Sequence, residues 1–97
     1  MATAFEDVTI LDPDDLEAHA LSIAASEIAR EAIRPHGIET AGKLLMIADR
    51  IRRAEYDGES EFLDQLRAVV DAPVAGSGDG QYGAHYRLRA ELFRLAA

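Results

Sequence analysis

The chain has 97 residues, of which 48% are apolar, with 18 Asp and Glu against 10 Lys and Arg, a net charge of −8 and no cysteine. That length holds one modest core, and so many apolar residues exclude a wholly disordered chain. The acidic balance opposes the counterion release that drives proteins onto nucleic acid or anionic lipid, and the missing cysteines exclude disulfides and thiolate metal sites.

Residues 1–11 read as a short acidic arm in which Val8, Ile10 and Leu11 can pack or fray. "MATAFEDVTI" lacks a basic leader and a long apolar stretch, and the longest strongly apolar run, "LLMIA" at 44–48, falls far short of the roughly 20 residues of a membrane span. A soluble cytoplasmic protein with no membrane partner is the expectation.

The helical domain is expected over 12–97. "ILDPDDLEAH" is dense in carboxylates, and each fits a helix start. Asp12 caps, Pro13 takes the first helical position where an N–H is not needed, and Asp14, Asp15 and Glu17 lie in the first turn beside the positive end of the dipole. Helical side chains diverge by about 100° per residue, so these oxygens do not converge on a metal. No metal and no cofactor is expected. The first helix is predicted to reach about Arg34, before Pro35 and Gly37, with Leu16, Ala20, Ile23, Ala24 and Ile28 at helical spacing and Leu21 beside them. Six alanines between 18 and 32 allow another helix to approach closely.

A second helix is predicted from a Thr40 cap to about Tyr56, with Ala41, Leu44, Leu45, Ile47, Ala48 and Ile51 on one face. Asp49 with Arg53 and Arg53 with Asp57 are i,i+4 pairs on the other. Ser60 is the expected cap of a third helix with Phe62, Leu63, Leu66, Val69 and Val70 inward, stopped by Pro73. "PVAGSGDGQYG" then interrupts the pattern. Its glycines lack the Lys and Ser or Thr of a phosphate loop, and Asp79 repels an anion, so a connector is expected. A last helix is predicted at about 84–96, with Leu88, Leu92, Leu95 and Ala96 inward. The fold expected is all-α, a single small bundle of about four helices.

Three histidines are the nitrogens suited to proton transfer near neutrality. His36 falls in the "RPHG" turn and His85 on the leucine face, while a helical wheel puts His19 on a polar stripe with Ser22, Ser26 and Arg30. "HALSIAAS", residues 19–26, resembles the active helix of histidine phosphotransfer domains, helical bundles of similar size. The resemblance implies His19 as phosphoacceptor; where that family usually has Lys and Gly, three and four residues on, this chain has Ser22 and Ile23. No catalytic constellation is otherwise visible, and the chain is not expected to be an enzyme. On the last helix Tyr86, Arg89 and Phe93 combine the residue types that anchor protein interfaces.

The function expected is a small acidic protein-binding module, an adaptor, regulator or inhibitor of a larger protein with a basic surface. Glu6, Asp7, Asp14 and Asp15 would steer, and Tyr86, Arg89 and Phe93 would anchor. By charge and size, small phage-encoded inhibitors that block a basic nucleic-acid channel are an analogy, with direct nucleic-acid binding not expected. A phosphorelay intermediate using His19 and a structural homodimer are the alternatives.

Overall fold

The computed structural model describes residues 17–72 and 83–97, in which four helices and no strand are found: α1 (Ala18–Glu31), α2 (Ile33–Arg53), α3 (Ser60–Asp71) and α4 (Gly83–Ala96). The all-α bundle expected from periodicity is what forms. The acidic arm, the Asp12 cap and the glycine connector lie outside the described residues.

At the first helix the boundaries differ from expectation. Glu17 is extended (φ −70°, ψ 153°), and its carbonyl accepts the first helical bond, from the Leu21 N–H at 3.0 Å. α1 therefore begins at Ala18, and Glu17 precedes its first turn. At the other end Ala32 keeps helical angles and the chain continues into α2 with hardly a pause, the His36 N–H bonding the Ala32 carbonyl at 2.8 Å. Pro35 is tolerated there because first-turn N–H groups have no intrahelical partner. The real break is Gly37, at φ 90° and ψ 162°, a conformation essentially open to glycine alone. Helical geometry resumes directly after it, so Thr40 sits inside α2 and is not its cap.

α2 ends at Arg53, three residues before the predicted end, in a turn over 54–58 closed by the Glu59 N–H to the Ala54 carbonyl at 2.8 Å, with Gly58 at φ 75°. Glu59 precedes α3, which makes Ser60 its first helical residue, one place beyond the expected cap. Ala72 is extended (φ −68°, ψ 123°), as the residue before Pro73 must be.

The core joins Leu21, Ile28, Leu44, Ile51, Leu66, Val70, Leu88 and Leu92, all fully buried. α1 packs most extensively along α2, and α4 closes the bundle against α1, α2 and α3. Buried alanines are frequent on both helices: Ala18, Ala24, Ala25 and Ala29 on α1, Ala32 between the two, and Ala41 and Ala48 on α2. Small side chains let helix axes approach to the short end of the usual 8–10 Å.

The face α1 buries is rotated from the predicted one. Leu21 is at its centre, whereas Ile23 is 42% exposed. Ser22, expected on the polar stripe, is buried, and its hydroxyl is satisfied by donating to the His19 carbonyl at 2.9 Å. Leu45 on α2 is likewise outside, and Val69 on α3 is only half-buried.

Polar contacts fix the helix ends. Arg50 pairs with Glu59 at 2.7 Å and lies 3.8 Å over the Phe62 ring, tying α2 to the start of α3. Arg87 donates from Nε to the Val70 carbonyl at 2.8 Å, satisfying one of the last carbonyls of α3 from α4. Both i,i+4 pairs read from the sequence are present, Arg53 with Asp49 at 2.9 Å and with Asp57 at 3.2 Å. Hydrogen bonds from Arg52 and Arg53 hold the Asp49 carboxyl below the usual carboxylate range.

Candidate functional site

α4 presents its aromatics unequally. Tyr86, near its start, is 63% exposed, while Phe93, two turns later, is half-buried against the core. Arg89 lies between them and places its guanidinium 5.0 Å over the Phe93 ring. The expected Tyr86–Arg89–Phe93 patch is thus split, with Tyr86 on the surface and Phe93 in a groove.

The groove is built with α2. His36, just before the Gly37 break, sets its ring 4.9 Å from that of Phe93 at an interplanar angle of 57°. Thr40 and Lys43 follow on successive turns of α2, and Phe93, Ala96 and Ala97 form the α4 side, enclosing about 340 Å³. Lys43 is the chain's one lysine. The sequence puts His36 in the "RPHG" turn and links neither it nor Lys43 to Phe93. Thr40 and Lys43, three apart beyond the Gly37 break, share a side of the helix by spacing, whereas His36 lies before the break and no helical spacing links it to them. Which other helix they would face was not visible.

A second groove of about 360 Å³ lies between Arg50, Gly58, Glu59, Glu61, Phe62 and Gln65. Its cation is already engaged by Glu59 and Phe62.

α2 also carries an outward apolar stripe that the sequence reading did not isolate. Ile38 (78% exposed), Leu45 (43%) and Met46 (74%) fall at i, i+7 and i+8, with Gly42 between. By the helical repeat the stripe lies roughly half a turn around α2 from the side that carries Thr40 and Lys43.

His19 is exposed on the first turn of α1. His85 is 6% exposed, and its Nδ1 has no hydrogen-bond partner. Burial holds the imidazole below the ordinary histidine range; Glu31 opposes that shift and Arg89 adds to it. This is the core-edge histidine the leucine spacing implied, more deeply buried than expected. Among the described residues no three His, Asp or Glu gather in a way that could hold a metal ion, and no helix is long and apolar enough to cross a membrane. Glu6, Asp7, Asp14 and Asp15 lie outside the described residues. Comparison of the chain with protein-family models, with curated proteins and with solved structures finds no match in any of the three.

Proposed function

We propose that this chain is a small acidic module that binds another protein and regulates or inhibits it. The observation that carries the reading is the outward stripe on α2. Three large apolar side chains stand in a row on a helix that already buries a separate face, and soluble proteins seldom leave such rows uncovered without a binding role. Tyr86 adds an exposed aromatic anchor on α4. The occupant is a protein with an apolar patch and a basic rim, since a net charge of −8 repels acidic partners and speeds encounter with basic ones. The acids Glu6, Asp7, Asp14 and Asp15 act in that encounter.

The test is capture of a partner from the native host by the immobilised chain, repeated with I38S, L45S and M46S combined. The variant is expected to keep its circular dichroism and lose the partner. Replacing Glu6, Asp7, Asp14 and Asp15 by amides is expected to slow association and flatten its salt dependence while leaving dissociation nearly unchanged, because rim charges act over a screening length of about 8 Å and not in the packed contact. Equal capture by the serine variant sinks the reading. A dimer of the parent chain that the variant abolishes replaces the partner with a second copy.

A further inference from the structure

We infer that His85 is an acid-operated latch on α4. When its imidazole takes up a second proton it leaves its buried seat, and the first turn of α4, Tyr86 included, comes away while the α1–α2 pair stays closed. The observation behind this is an unfinished polar contact: His85 is buried, and its Nδ1 lies inside with no hydrogen-bond partner. Nearly every buried polar atom has one, so the bare nitrogen is a standing cost to the fold. The neutral ring bears it, because it can keep a lone pair at Nδ1 and its N–H at Nε2. In the imidazolium both nitrogens are donors, and Nδ1–H becomes part of a charge sealed from water and from any acceptor. Burial accordingly holds this imidazole below the ordinary histidine value. Among the described residues Glu31, the last of α1, favours the cation and Arg89, four residues on in α4, opposes it; burial outweighs each of them.

Its place in the chain decides what moves. His85 is the third residue of α4, after Gly83 and Ala84, which are buried with it. Its ring meets that of Tyr86 edge-on, at 6.1 Å between centroids and 73° between planes. First-turn N–H groups have no intrahelical acceptor, so burial of these three residues is what seats that end of the helix. The next tie is separate: Arg87 bonds the Val70 carbonyl, and Leu88 and Leu92 are fully buried beyond it. α1 and α2 share the most extensive contact in the bundle, and structure opens first where least is buried. The opened turn binds the proton more tightly than the closed one, so acid favours it, and the opening constant grows at most about tenfold per pH unit for one proton. Loss of a protein partner in acid follows in addition where Tyr86 anchors one; that consequence alone rests on the proposed binding function.

Titration of the full chain from about pH 8 to about pH 4, followed by the His85 Cε1 proton and by Cα chemical shifts, tests this without a partner. The Cα shifts of Ala84, His85 and Tyr86 are expected to move toward coil values over about two pH units, with the same midpoint as the imidazole itself. Those of α1 and α2 are expected to keep their helical values. His85→Leu is expected to hold α4 helical throughout; if that variant does not fold, the parent's titration decides alone. None of these readings changes if no host protein is captured. An imidazole that titrates while Ala84, His85 and Tyr86 stay helical overturns the latch, since the seat then accepts the cation. So does an imidazole still neutral when the whole chain unfolds. Loss of the helical shifts of α1 and α2 at the same midpoint also overturns it, as does a His85→Leu variant that opens like the parent.

Discussion

Truncating Leu21 and Ile23 to alanine, one at a time, separates the face that α1 buries from the face its sequence suggests. Each change removes three carbons, worth about 2.4 kcal/mol at ~0.8 kcal/mol per buried carbon. Leu21 is fully buried, so it loses that whole transfer energy and leaves a cavity besides, for a cost of about 3 kcal/mol within the usual 2–5 kcal/mol. Ile23 is 42% exposed and opens no closed cavity, so its cost is roughly half the transfer energy, about 1 kcal/mol. In a domain of this size 1 kcal/mol moves the melting temperature by about 4–8 °C, which puts Leu21→Ala about 12 °C or more below the parent and Ile23→Ala less than about 8 °C below it. Urea melts at fixed pH, with the slope checked for constancy, measure both. An Ile23→Ala cost equal to or above that of Leu21→Ala refutes the rotated face.

His85 predicts an acid dependence of stability: its folded pKa is depressed, chiefly by burial, so the unfolded chain binds more protons and stability falls as pH drops below the unfolded value of about 6.5, levelling off once the folded imidazole also titrates. Urea melts at pH 7.5 and 5.0 are expected to show a smaller loss for His85→Leu than for the parent, and identical losses rule the mechanism out. Gly37→Ala is expected to cost about 1–3 kcal/mol because the backbone there is strained for any side chain, with no steric share since an added Cβ meets nothing within 4 Å. Gly42→Ala, in the helical part of α2 with equal space, is expected to stabilise by about 0.5–1 kcal/mol; a loss at Gly42 or no effect at Gly37 contradicts the placement of the break.

The fold class was legible because helix periodicity is local. The stripe of Phe62, Leu63, Leu66, Val69 and Val70 is flanked by polar residues, and it is buried as read except at Val69, which is half-buried at its edge. Pro73 and Gly37 likewise act through their own backbone, and the chain ends α3 and breaks before α2 resumes where they stand. α1 was different. Apolar residues occupy so much of its circumference, at Ala18, Ala20, Leu21, Ile23, Ala24, Ala25, Ile28 and Ala29, that several faces are equally amphipathic and only the shapes of α2 and α4 select one. The same selection buried Ser22, whose hydroxyl found a partner within its own helix, and turned Ile23, Leu45 and Met46 outward. His36 and Phe93 are 57 positions apart in the chain, and no local pattern joins residues so distant; their contact exists because α4 closes on α2. Composition and spacing determined that the chain would be helical, acidic and without thiols. Packing between helices decided which side chains were left over for a ligand or a partner, because that depends on what each face meets and not on what it contains.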